Sequence, residues 1–111
     1  MFYFKTVFLD RAALFIKELD EKAFQKLLYT IENAEQSNDP RLFKKINQHI
    51  WEFRLRYQKK QIRLLAFWDK SDKEKTIVVI THGIIKKDSK VPVSEIEQAL
   101  VLRNLYFEMK K

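Results

Sequence analysis

The sequence predicts one α+β domain over residues 1–111, in the order β-α-α-β-β-β-α: a mainly antiparallel four-stranded sheet, two early helices covering one face, and a C-terminal helix. Three observations predict it. Apolar residues recur at helical spacing between residues 11 and 36, after only a short opening strand. Residues 50–85 hold three runs rich in aromatic and β-branched residues, separated by short polar knots, as in hairpin-linked strands. A helix-periodic segment from Ser94 closes the chain.

FYFKTVFLD alternates loosely and reads as the first strand. Asp10 stands where a cap belongs, and RAALFIKEL follows with Ala12, Leu14, Phe15 and Leu19 near helical spacing. Asp20 is placed to cap EKAFQKLLYTIENAEQ, whose Phe24, Leu27, Leu28 and Ile31 form one stripe. Pro40 stops that helix by forcing Asp39 out of the helical region. In WEFRLRY, Trp51, Phe53, Leu55 and Tyr57 point one way, and Glu52, Arg54 and Arg56 the other. The first set is expected to face the helices, leaving the second on an uncovered side. QIRLLAFWDK and KTIVVITHGII are apolar on both faces, as central strands are, with Gly83 at the end of the last one and Lys86, Lys87 and Lys90 in the loop beyond it. Ser94 and Glu97 form a capping-box pair for the final helix, with Ile96, Leu100 and Leu105 inward.

Apolar residues make up 46% of the chain and aromatics 14%, enough for a real core. There is no cysteine, which excludes disulfides and thiolate metal sites and fits a reduced, cytoplasmic setting. The N-terminus is too soon charged for a signal peptide, and no apolar run reaches the ~20 residues of a membrane span. One glycine excludes a glycine-rich phosphate loop, and neither DxD nor HExxH occurs. Net charge is +7, and residues 41–63 carry eight basic side chains against one acidic. The excess is therefore concentrated in one segment, which points to an electropositive surface for a polyanion or an acidic protein.

An arginine inside a sheet loses hydration and calls for a carboxylate or phosphate partner. Two readings stay open for Arg54 and Arg63. Glu52 pairs with one of them across the sheet, or the two guanidiniums converge on a phosphate. Arg56 reads as a solvated charge. His82, beside Gly83, reads first as a hydrogen-bonded structural residue. Lys86, Lys87 and Lys90 are either solvated or positioned for phosphate and proton transfer. Tyr106 and Phe107 pack on the sheet or stack on a base.

Taken together, Trp51-Glu52-Phe53-Arg54, Arg63-Leu64-Leu65, His82-Gly83, Lys86-Lys87, Lys90, Pro92, Glu95-Ile96, Ala99 and Arg103 resemble the HigB-like, phage-type branch of the RelE/ParE toxin superfamily. Ile84-Ile85 depart from that pattern, which more often has an aromatic there, and Val91 replaces a usual threonine. The resemblance implies a RelE-like fold and a bacterial type II toxin that cuts mRNA on the ribosome. It implies metal-independent, cofactor-free chemistry: the ribose 2′-OH attacks the adjacent phosphorus and leaves a 2′,3′-cyclic phosphate. On that reading Arg54 and Arg63 clamp phosphate, and Lys87, then Lys86, move protons, with His82 an outside candidate. Arg56, Lys59, Lys60 and Lys90 contact RNA, and Arg103 lines the cleft or anchors its helix against Glu95 or Asp88. The implied partners are the ribosome, mRNA and a cognate antitoxin with a helix-turn-helix domain (HigA-like), through which alone operator DNA is reached; no membrane is involved. The alternatives are a ParE-like gyrase inhibitor and a non-catalytic basic domain that binds RNA or an acidic antitoxin.

Overall fold

The computed structural model describes residues 2–87 and 90–111. The elements are β1 (Lys5–Phe8), α1 (Asp10–Lys17), α2 (Glu21–Gln36), β2 (Phe43–Lys45), β3 (Trp51–Tyr57), β4 (Lys60–Asp72), β5 (Lys75–Lys86) and α3 (Val93–Lys110). They form a five-stranded sheet in the order β1-β5-β4-β3-β2, not the expected four. β1 runs parallel to β5, and every other pair is antiparallel, so the sheet is mixed. The missed strand, β2, is three residues long and pairs with Trp51–Phe53. Three residues show no period, so only tertiary pairing reveals the strand.

The caps divide by local chemistry. Asp20 caps α2 as predicted, accepting from the Ala23 amide at 2.8 Å. Asp10 does not cap α1: extended Leu9 holds the cap position and Asp10 is the first helical residue. Ser94 does not cap α3 either. The helix begins one residue earlier, behind Pro92, whose carbonyl accepts from the Glu95 and Ile96 amides.

Phe53 and Leu55, Ile62 and Leu64, and Val78 and Ile80 turn one face of the sheet toward Ala12, Leu27, Ile31 and Ala34 of the first two helices. Leu14, expected in that stripe, is exposed. Trp51, Tyr57 and Trp68 pack at the rim of this core. Gly83 lies inside β5, opposite Leu64, and a Cβ there would stand 2.3 Å from the Phe15 ring. Its lack of a side chain lets α1 pack directly on the strand.

The opposite face was expected to be bare, and half of it is not. Ile96, Ala99, Leu100, Tyr106 and Phe107 of α3 cover Leu65, Phe67 and Val79. This stripe turns Leu105 outward, contrary to the sequence expectation. A bulge in β5 makes the arrangement possible: Leu65 pairs with His82 and Ala66 with Ile80, leaving Thr81 as the extra residue. At the far end Asp69 is buried and accepts from the Tyr106 hydroxyl at 2.6 Å, the Lys110 ammonium at 2.8 Å and the Ser71 amide at 3.0 Å. These donors hold its carboxyl well below the usual carboxylate range despite its burial. No helix among the described residues is long and apolar enough to cross a membrane.

Candidate nucleic-acid interface

The half of the face that α3 leaves bare carries the charge. The β3–β4–β5 register sets Arg54 beside Arg63, Arg63 beside Ile84, Arg56 beside Gln61, and Gln61 beside Lys86. Because side chains alternate along a strand, all of these point to one side. Two hollows open there. The larger, about 410 Å³, lies between Lys44, Lys45 and Ile46 on one side and Lys90, Val91 and Ile96 on the other, with Glu52, Arg54 and Lys86 also lining it. The smaller, about 310 Å³, is lined by Arg41, Arg54, Leu55, Arg56, Gln61 and Arg63. Arg54 borders both, and its side chain is 32% exposed.

Arg63 sits behind it, only 4% exposed. Its Nη1 donates to the Ile62 carbonyl at 3.0 Å and the Leu55 carbonyl at 3.5 Å, and its Nη2 to Gln61 Oε1 at 3.2 Å. Buried Glu52 lies between the two arginines, 3.4 Å from Arg54 Nε and 3.5 Å from Arg63 Nε. The structural and functional readings of the sequence thus meet in one cluster: Glu52 pairs with both arginines, and one guanidinium still faces the hollows. Neither contact has hydrogen-bond geometry. Among the described residues, Glu52 Oε1, Arg54 Nε and Arg63 Nε are buried without a hydrogen-bond partner.

Lys86 is the last residue of β5 rather than part of the following loop. Burial, then the Arg63 charge, pulls its pKa below the ordinary 10.5; Arg54 adds to this and Glu52 opposes it. Exposed Lys87 follows it, and both join Lys90 around an adjoining hollow of about 250 Å³. Asp88 lies outside the described residues.

Other sequence candidates fall elsewhere. Lys60 pairs with Tyr57 and lines a hollow with Glu18 and Asp20 on the α1–α2 side, the opposite face from Arg54. Lys59 is an exposed turn residue after Gln58, whose φ is 55°. Arg103 lies over the Phe107 ring at 5.2 Å and lines neither basic hollow.

His82 is buried under the start of α3. Its Nε2 lies 3.0 Å from Glu95 Oε1 and its Nδ1 lies 2.9 Å from the Thr81 hydroxyl. A carboxylate accepts and cannot donate, so Nε2 carries a proton toward Glu95; in the neutral ring that burial favours, Nδ1 accepts from the Thr81 hydroxyl, whose one proton is then not given to the Leu65 carbonyl 3.2 Å away. Burial keeps the ring below its ordinary pKa, with Arg11 adding to the effect and Glu95 opposing it. His82 therefore ties β5 to α3.

The sequence reading missed Arg41, Lys44 and Lys45 as individual contributors. Their signal was present in the charge of residues 41–63, but the unrecognised β2 left nothing to orient them.

Residues 14–104 match the family model described as phage-derived protein Gp49-like (DUF891). No curated protein matches the chain.

Proposed function

The chain belongs to the Gp49-like family of phage-derived proteins, a family associated with RelE- and toxin-like proteins, and we propose that it is the toxin of a bacterial type II toxin–antitoxin system, a HigB-like ribosome-dependent mRNA endoribonuclease. The observation that carries the reading is Arg54, half-exposed between two basic hollows and backed by a buried carboxylate and a second arginine. A guanidinium there meets phosphate oxygens with its planar fork.

In the proposed reaction the 2′-oxygen forms a bond to phosphorus while the bond from phosphorus to the 5′-oxygen breaks. Arg54 is directed at the charge that grows on the phosphorane oxygens. Lys86 takes the 2′-OH proton; its lowered pKa makes the neutral amine more accessible than for a solvated lysine. Lys87 or Lys90, both exposed, returns a proton to the departing oxygen. The products are a 2′,3′-cyclic phosphate and a 5′-hydroxyl. Arg63 and His82 act as positioning residues, since both are buried and already hydrogen-bonded. This ranks Lys86 ahead of Lys87, reversing the order drawn from the sequence, and takes Lys60 out of the RNA contacts.

The proposed antitoxin covers the same hollows with an acidic segment, which the concentrated positive charge favours. The test is induction in a bacterial host with 5′-end mapping of transcripts. The reading expects arrested translation and cuts inside translated messages, both lost in Arg54→Ala. Growth arrest with intact transcripts and broken chromosomes would instead favour the gyrase-inhibitor alternative.

A further inference from the structure

The two hollows on either side of Arg54 differ in kind. The smaller is bounded by three arginines besides Arg54 itself and a glutamine, with Leu55 its one aliphatic residue. Cations and an amide dominate its lining, and an extended phosphate chain suits it. The larger has Ile46 on the β2 side and Val91 and Ile96 on the α3 side, three aliphatic residues facing a common space. All three also pack against the core beneath α3, so these walls are fixed by the fold. Cations line it too: Lys44, Lys45, Lys86, Lys90 and Arg54. Glu52 also borders it, 5% exposed and set between Arg54 and Arg63.

A carboxylate among aliphatic walls disfavours phosphate, while the lysines attract it. A ligand that satisfies both has a flat, uncharged part inside and phosphates outside. A nucleotide in a single strand has that form. The geometry points to the larger hollow being a nucleobase subsite: one base of a single-stranded RNA enters between Ile46 and Ile96, its flanking phosphates held by Lys44, Lys45 and Arg54. The volume of about 410 Å³ lies within the range of small-molecule sites, ~300–1,000 Å³. This deepens the proposed nuclease reading and rests on it for the identity of the ligand. It adds Ile46, Ile96, Lys44 and Lys45, and fixes an orientation, with the base toward α3 and the onward phosphates toward Arg41 and Arg56.

The test is equilibrium binding of the whole chain to a short RNA whose 2′-hydroxyls are replaced by fluorine, so that it cannot be cleaved by 2′-attack. Its partner is the same backbone without bases. The base-bearing strand should bind about tenfold more tightly, as expected for burying roughly 50 Å² of apolar base surface at ~25 cal/mol per Å² against aliphatic walls. Ile96→Ala removes part of that apolar wall and should shrink the difference to under about threefold, leaving the abasic affinity unchanged. Lys44→Ala with Lys45→Ala should weaken both strands alike and flatten the salt dependence by about one to two phosphate contacts. The wild-type comparison needs no variant, so it stands even where Ile96→Ala folds poorly. Equal affinity for the two strands, or no binding of either at low salt, overturns the subsite. Base-dependent binding without message cleavage in cells would keep the subsite and remove the nuclease; cleavage without base dependence would do the reverse.

Discussion

Glu52 and Asp69 are buried carboxylates on the same face of one sheet, 5% and 2% exposed, and their surroundings differ. Asp69 accepts from a tyrosine, a lysine and a serine at close range. Glu52 has two arginine Nε atoms at 3.4 and 3.5 Å and a hydrogen bond to neither. Buried acids are ordinarily satisfied, because an unmet acceptor costs about 1–3 kcal/mol. The satisfied acid lies under α3, where it fixes the helix. The other, with Oε1 unsatisfied, lies at the basic hollows between buried Arg63 and partly exposed Arg54. An acid that anchors a helix fills its hydrogen bonds; one set between arginines at a hollow serves instead to hold their charges in place.

The largest effect separates the two regions outright. Arg54→Ala should lower message cleavage by about 10²–10³-fold, the loss expected for one group stabilising transition-state charge. Its side chain is partly exposed, so thermal stability should change little. A variant that cleaves normally, or one that unfolds, would erase the distinction between binding surface and anchor.

Asp69→Asn should do the opposite. It removes the charge that donors from three residues surround, and it should cost about 2–3 kcal/mol, read as a lower urea midpoint at an unchanged slope. Cleavage per folded molecule should be unaffected, since Asp69 lines neither basic hollow.

Glu52→Gln should cost less, about 1 kcal/mol, because its Oε1 has no hydrogen-bond partner and its arginine contacts are long, at 3.4 and 3.5 Å. Its functional effect should be visible instead. With the carboxylate gone, Arg54 meets no competing anion, and single-stranded RNA should bind severalfold more tightly at low salt. If Glu52→Gln proves more destabilising than Asp69→Asn, Glu52 is an anchor after all and the comparison fails.

The sequence made half of this legible, and the reason is local periodicity. The alternation of WEFRLRY set Arg54 and Glu52 on one face, and the register between β3 and β4 put Arg63 beside them. Asp20 capped α2 because a cap depends on neighbouring residues alone. What the sequence could not show depends on long-range pairing. β2 has too few residues for a period, so Lys44 and Lys45 remained charges without a place. The bulge at Thr81 and the seating of α3 decide which half of the face stays bare, and both arise only once β4 and β5 are in register. In the sequence, His82 reads first as a hydrogen-bonded structural residue, and as an outside catalytic candidate only through the resemblance. In the fold His82 and Gly83 serve packing on opposite faces: His82 meets Glu95 of α3, and Gly83 admits Phe15 of α1.

The smallest effect tests whether α3 is held by acid-sensitive contacts at both ends. The His82 ring is held below its unfolded pKa of 6.5, chiefly by burial, so the folded protein takes up this proton less readily than the unfolded chain. The contribution of the neutral ring is complete above pH 6.5 and declines as pH falls from there toward the lower folded value. Asp69, held below 3.8, has the same sign but a different window: its contribution is complete above that pH and fades as pH falls further. Unfolding free energies measured from pH 7.5 down to 3 should therefore show two separate declines. His82→Gln should remove the first and leave the second, and Asp69→Asn the reverse. Wild-type stability that rises as pH falls from 6.5 to 5 would mean that Glu95 welcomes an imidazolium more than burial and Arg11 oppose it. The start of α3 would then be held by an ion pair, in contrast to the neutral contact that burial favours.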